Sequence, residues 1–205
     1  MSCPHTRQKI LDCAEKLFAR HGFHGTSLRR ITADAGVNLA AVHYHFGSKD
    51  GLVEEVFKRR MGPLNEERMS RLEALRSGPG FDAEQVLRSF VEPTLRFAEQ
   101  GEGNRDFLAL IGRALIEPDE QIRRMFFDLV APLFHLLLDL VCEALPHLSR
   151  DLLFWRLHFA LGAMGRYLFL AGQRSSMNEA MGTVIPDLPA GDCLIGFIVR
   201  GLEGP

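Results

Sequence analysis

The sequence predicts an all-α protein with a small helical unit at the N-terminus and a larger helical body behind it. Three observations carry this expectation. Apolar residues recur at i, i+3/i+4 and i+7 through nearly every segment. No apolar-polar alternation lasts long enough to make a strand. Gly, Asn and Ser stand where short helices would begin and end.

Taken in order, Ile10, Leu11, Ala14, Leu17, Phe18 and His21 form one stripe, with Asp12, Glu15, Lys16 and Arg20 facing away. Gly22 ends that first helix, because glycine tolerates the left-handed conformation that closes helices. A short helix over about 28–35 follows, with Thr26 and Ser27 as N-cap candidates, and Gly36 closes it. Asn38 caps a third helix that reaches about His45, and Ser48 caps a fourth that begins at Lys49. Residues 1–52 therefore read as one miniature all-α domain. Residues 53–205 read as the body. Its helices are expected over 49–75 with a kink at Gly62-Pro63, then 81–100, 105–116, 119–145 (containing Pro132), 149–170 and 189–202. The SGPG and GEGN stretches break the chain at 77–80 and 101–104, and 172–188 reads as irregular.

The chain has 205 residues, enough to bury a genuine core, and 46% of them are hydrophobic. Adding 19 glycines brings the apolar share to about 55%, above the roughly 45–50% of an average soluble domain. That modest excess points to apolar surface beyond one core, such as a subunit interface or a cavity. The same numbers exclude disordered and collagen-like classes. Leu157–Gly172, the longest span candidate, is interrupted by His158 and Arg166 and is too short for a bilayer. The N-terminal MSCPHTRQKILDCAEK has no apolar h-region, so no signal peptide is expected. Cys3, Cys13, Cys142 and Cys193 form no CxxC pair, which fits a reduced, cytoplasmic setting.

The net charge of −2 is unevenly spread. Residues 1–60 hold ten Lys/Arg against six Asp/Glu, and the rest hold fourteen Arg against twenty acids. All four lysines and five of the eight histidines lie in the first segment. A basic unit on an acidic body suggests a head that binds anions.

Residues 27–46, SLRRITADAGVNLAAVHYHF, have the layout of a helix-turn-helix. Leu28, Ile31 and Ala35 face inward, Gly36 makes the turn, Val37 and Val42 anchor the second helix, and Phe46 plugs its end. That second helix is narrow enough for a major groove about 12 Å wide. It would present Leu39, Ala40, His43 and His45 to base edges. Thr26 and Ser27 offer hydroxyls at a helix N-terminus, where free N–H groups attract anions. Tyr44 offers a hydroxyl, and Lys49 a charge. A cation in a first turn opposes the helix dipole, a cost that an arriving phosphate would remove; simple exposure of Lys49 is the alternative.

The stretch resembles the N-terminal domain of TetR-family transcriptional regulators. The matching positions are Gly22, Phe23, Thr26, Ser27, Arg29, Ile31, Ala35, Gly36, Val37, Tyr44, Phe46, Ser48, Lys49 and Leu52. AGVNLAAVHYHFGSK followed by the apolar body and FWRLHF (154–159) is similar to the fatty-acid-responsive branch. The resemblance implies a homodimer without catalysis or cofactor. Two heads would bind double-stranded DNA at a palindromic operator, and a small apolar effector such as a long-chain fatty acid or acyl thioester would release them. Phosphate contacts fall to Thr26, Tyr44 and Lys49, and base-edge contacts to Asn38, Leu39, Ala40, Ala41, His43 and His45. The chain departs from the family at Leu39 and Ala40, where many members carry a Lys-Gly or similar pair. That departure removes a phosphate contact and leaves an apolar contact with a thymine methyl as the alternative.

The segments 105–116 and 152–170 are apolar nearly all round, so each needs two apolar neighbours. Core on one side, with a dimer partner or a ligand cavity on the other, meets that need. Gly162, Ala163 and Gly165 favour close approach of another backbone, and the dimer is expected through 149–170 and 189–202. The effector is expected against Phe107, Ile111, Phe134 and Met164, with Arg113 or Arg166 for a carboxylate; core packing explains the same apolar residues. His43 and His45 are two apart and cannot share a metal on a helix, and no enzyme motif is present. The alternative from another class is a cytosolic lipid-binding or carrier protein that never binds an operator.

Overall fold

The computed structural model describes residues 3–114, 119–171 and 190–204, together with 179, 182 and 184. Among the described residues the elements are all helices: α1 (Cys3–His21), α2 (Leu28–Ala35), α3 (Leu39–Phe46), α4 (Lys49–Arg76), α5 (Ala83–Glu99), α6 (Glu102–Ala114), α7 (Glu120–Ala144), α8 (Arg150–Ala171) and α9 (Ala190–Glu203). The chain divides into two compact units, residues 1–63 with 113–129, and residues 64–112 with 130–205. The first unit thus takes in 53–63 and the front of α7, beyond the boundary at 52 read from the sequence. The physical reason is a chain of aromatic contacts: Phe18–Phe23, Phe23–Phe57 and Phe57–Phe126 have ring centroids 5.7, 5.6 and 5.9 Å apart.

Helix ends follow the caps. Ser27 Oγ accepts from Arg30 N–H at 3.2 Å, Asn38 Oδ1 from Ala41 N–H at 2.9 Å, and Ser48 Oγ from Gly51 N–H at 3.0 Å. Asp82 and Gln85 form a reciprocal capping box at the start of α5. Three glycines take positive φ where a helix must stop: Gly22 at 72°, Gly36 at 64° and Gly47 at 72°. His21 departs from the expected stripe. It is exposed in the last turn of α1, while Ile10, Leu11, Ala14, Leu17 and Phe18 are buried.

In the first unit α1 and α4 are also joined by charge. Arg59 reaches Asp12 at 2.6 Å and also Glu15, Arg60 lies 3.1 Å from Glu15, and Arg7 pairs with Glu55. In the second unit, buried residues of α5, α7, α8 and α9 form one core with Leu72 of α4. The carbonyls at the end of α9 are capped by backbone and side chain together, and Gly204 N–H donates to Arg200 O at 2.9 Å. Arg156 Nη1 donates to Leu202 O at 2.6 Å and to Gly204 O at 2.7 Å.

Among the described residues, the helix long and apolar enough by composition to cross a bilayer is α7, not the 157–172 stretch singled out in the sequence. Its Leu133, Leu137, Leu138, Leu140 and Val141 are buried in the second unit's core instead.

Candidate nucleic-acid interface

The helix-turn-helix is built from α2, the turn 36–38 and α3. Gly36 N–H donates to Ala33 O and Val37 N–H to Thr32 O, so the turn closes α2 with its own backbone bonds. Inside, Ile31, Ala35, Val42 and Phe46 are buried, and Arg7 of α1 sits 5.4 Å over the Phe46 ring. Only two residues of α3 face the core. The opposite face is exposed to solvent.

That face carries Leu39, Ala40, His43 and Tyr44, all exposed, with Tyr44 79% accessible. An aromatic residue so exposed contributes little to packing, and no carboxylate stands anywhere on α3 to repel a phosphate. Eight residues make a helix about 12 Å long, a size that a major groove admits. Ala41 and His45 are half-buried, and the His45 ring lies edge-on to Tyr44 at 5.0 Å. Asn38 is exposed, but its side-chain oxygen is taken by the N-cap bond. Ser27 is exposed at the start of α2, and Lys49 is half-buried at the start of α4.

The His43 ring is oriented by a hydrogen bond to the backbone. Its Nδ1 lies 2.9 Å from Gly47 O, and a carbonyl oxygen only accepts, so Nδ1 carries the hydrogen. In the neutral ring Nε2 is then a bare acceptor. It can take a hydrogen from an exocyclic amino group of a base, and it cannot donate to a phosphate oxygen.

Thr26 is a correction to the phosphate set. It is fully buried, and its hydroxyl donates inward to Gly22 O at 2.9 Å and Leu17 O at 3.1 Å. It ties the turn after α1 to the helix and has no path to a ligand.

In the second unit the expected effector residues fall into separate surroundings. Phe107 is buried and pairs with Phe97 at 6.3 Å; Ile111 is half-buried. Phe134 contacts Phe154 and His158 at 5.8 and 5.2 Å, and both Phe134 and Met164 border the main core. Arg166 is exposed, and the Arg113 side chain lies outside the described residues. A cleft of about 270 Å³ is found in the first unit, lined by Ser48, Asp50, Gly51, Glu54, Gln121, Ile122 and Met125. Its carboxylates suit no fatty acid. Among the described residues no group of three His, Cys, Asp or Glu is placed to hold a metal.

Sequence reasoning missed a polar cluster around Arg68. This residue is 5% exposed; its Nε donates to Phe90 O and its Nη1 to Asn65 Oδ1, each at 3.1 Å, and its Nη2 donates to Thr94. The guanidinium also lies 4.3 Å over the Phe90 ring. The signal was present: Leu64, Arg68 and Leu72 are four apart, which puts an arginine in the middle of a buried stripe.

The fold and this exposed short helix define a helix-turn-helix protein. Residues 10–56 match the model of the bacterial regulatory proteins of the tetR family, and residues 88–187 match a tetracyclin repressor-like C-terminal domain. The chain belongs to the TetR family, a family of regulators rather than enzymes. It is 34% identical over 106 residues to the HTH-type transcriptional regulator AcrR of Shigella flexneri, covering 52% of this chain and 47% of AcrR. It is 40% identical over 48 residues to the HTH-type transcriptional repressor AcnR of Corynebacterium glutamicum, covering 23% of this chain and 26% of AcnR. The chain thus spans less than half the length of these relatives. Among solved structures, FadR of Bacillus subtilis in complex with stearoyl-CoA shares the fold, with a TM-score of 0.68 at 17% identity over 95% of this chain and 98% of that one.

Proposed function

We propose that the protein is a ligand-responsive transcriptional regulator that binds a palindromic operator as a homodimer. The observation that carries this reading is α3, anchored by Val42 and Phe46 alone while Leu39, Ala40, His43 and Tyr44 face outward. In this reading Leu39, Ala40 and His43 meet base edges, with Asn38 fixing the helix start and Ala41 and His45 at its margin. Ser27, Tyr44 and Lys49 meet phosphates. The two heads of a dimer would sit about 34–36 Å apart, one turn of DNA.

Dimerisation is supported by the outer faces of α8 and α9. Trp155, Phe159 and Phe197 are 59%, 69% and 68% exposed, large apolar groups that a second copy of the same surface would cover. An apolar effector, a fatty acid or acyl thioester, is supported by the resemblance to the stearoyl-CoA-bound FadR and by the aromatic pairs Phe97–Phe107 and Phe134–Phe154 of the second unit. The protein would act in the cytoplasm, repressing the genes next to its operator until the effector arrives.

The test is a gel-shift titration of the full-length protein against DNA from upstream of its own gene, with unrelated DNA of equal length as competitor. Selective retardation is expected. Equal affinity for both DNAs would sink the operator reading and leave the lipid-carrier alternative.

A further inference from the structure

We propose that Arg68 anchors the anionic head of the effector. This inference rests on the ligand-responsive reading above and names the chemistry of the ligand that reading leaves open.

The charge of Arg68 is unbalanced. Arg68 is a buried charged side chain of the second unit, and its hydrogen-bond acceptors are a backbone carbonyl, an amide oxygen and a hydroxyl, with no carboxylate among them. Its neighbours Arg71, Arg88 and Arg96, all closer to water, each have a carboxylate: Glu67 at 3.1 Å, Glu84 at 2.8 Å and Glu67 at 2.5 Å respectively. Glu67, the acid whose field reaches Arg68, is already engaged by those two arginines. Burial pushes the Arg68 guanidinium down to about 9, which still leaves it a cation at neutral pH.

A charge taken out of water without a counter-charge is costly, and neutral acceptors offset only part of that cost. The guanidinium has five N–H groups, and three are committed. One on each Nη remains, and the planar fork suits the two oxygens of a carboxylate. Half-buried Asn65 marks the edge nearer to solvent, where such a group can enter. The ring of Phe90 beneath the guanidinium is apolar, and Leu72 one helical turn on is buried, so the ligand that fits is an amphiphile with one anionic end. In this reading Arg68 takes the place of the exposed Arg166 as the carboxylate partner.

The experiment measures binding of palmitate, palmitoyl-CoA and hexadecanol to the full-length protein below their aggregation thresholds. Wild type is compared with Arg68→Met and Arg68→Gln, and operator binding is recorded in parallel. Wild type should bind palmitate or palmitoyl-CoA at least about tenfold more tightly than hexadecanol, the factor a charge-assisted pair supplies. Both variants should bring that ratio to within about twofold. Preference for palmitate marks a carboxylate contact, and preference for palmitoyl-CoA alone marks the phosphates of the thioester. Either supports the anchor. No anion preference in wild type, no binding of any of the three, or a preference that survives in the variants overturns it. A variant that merely melts earlier while keeping the ratio makes Arg68 a clamp on α5, which also overturns the anchor. Operator binding by wild type without ligand keeps the two readings apart: its loss defeats the regulator itself, its presence without anion preference defeats only the role of Arg68.

Discussion

Thr26 separates a structural from a DNA-contacting role in a single substitution. Thr26→Val keeps the shape of a fully buried side chain and deletes the hydroxyl that donates to Gly22 O at 2.9 Å and Leu17 O at 3.1 Å. Leu17 O also lies within the α1 ladder, so the loss falls mainly on Gly22 O, a carbonyl in the turn. A buried acceptor left without its donor costs about 1–2 kcal/mol. For a chain of this size each kcal/mol lowers Tm by about 2–4 °C, so Thr26→Val should melt about 2–8 °C below wild type. Thr26→Ser keeps the donor, loses one methyl, and should fall by about 1 kcal/mol through the cavity. Thermal unfolding by circular dichroism reads the first effect. DNA titration at a temperature where every variant is folded reads the second, and affinities should agree within about twofold. If Thr26→Val melts with wild type yet binds DNA several-fold more weakly, while Thr26→Ser binds normally, the hydroxyl faces a phosphate and the structural reading is refuted.

Lys49→Ala should weaken binding to all DNA sequences alike and flatten the plot of log affinity against log salt by about 0.9 for each of the two copies in a dimer; an unchanged slope removes the residue from the phosphate set. Gly36→Ala meets no atom within 4 Å of the new Cβ but must hold φ near +64°, so it should cost about 1 kcal/mol, read as a lower Tm. Phe159→Glu, on a side chain 69% exposed within one subunit, should leave helicity intact and yield monomers in sedimentation velocity; a dimer that persists places the interface elsewhere. His43→Ala should lower affinity about threefold to tenfold for the preferred operator, and wild type should lose as much when a single adenine or cytosine amino group is replaced by hydrogen in base analogues. Wild type indifferent to every such analogue would show that the bare Nε2 reads no base.

The N-terminal head is legible because its instructions are local. Ser27, Asn38 and Ser48 each bond a backbone N–H three residues on, and Gly22 and Gly36 each close the helix just before them. Every such instruction acts within four residues, so a single sequence suffices to place α1 to α4. Thr26 shows where local reading stops. A threonine beside a helix N-terminus suits either a phosphate or a tertiary anchor, and only the position of Leu17, nine residues away, decides between them. His43 is similar: its place on the outer face follows from helical spacing, but its tautomer depends on the carbonyl of Gly47.

The body is less legible for a different physical reason. An apolar helix face states only that something must cover it. Trp155 and Phe159 on α8 belong to the same greasy run as Leu153 and Leu157, yet the latter are buried in the core and the former stand open. The hydrophobic effect is non-directional, so composition cannot tell core, partner and ligand apart. Polar groups inside such a body carry more information, because each must be matched by a definite partner. Arg68 meets Thr94 across 26 residues of sequence and Phe90 O across 22, contacts that no short-range pattern encodes. A charge held in that company without a carboxylate says more about the ligand than all the phenylalanines around it. They would accept any apolar chain, and the arginine discriminates by sign.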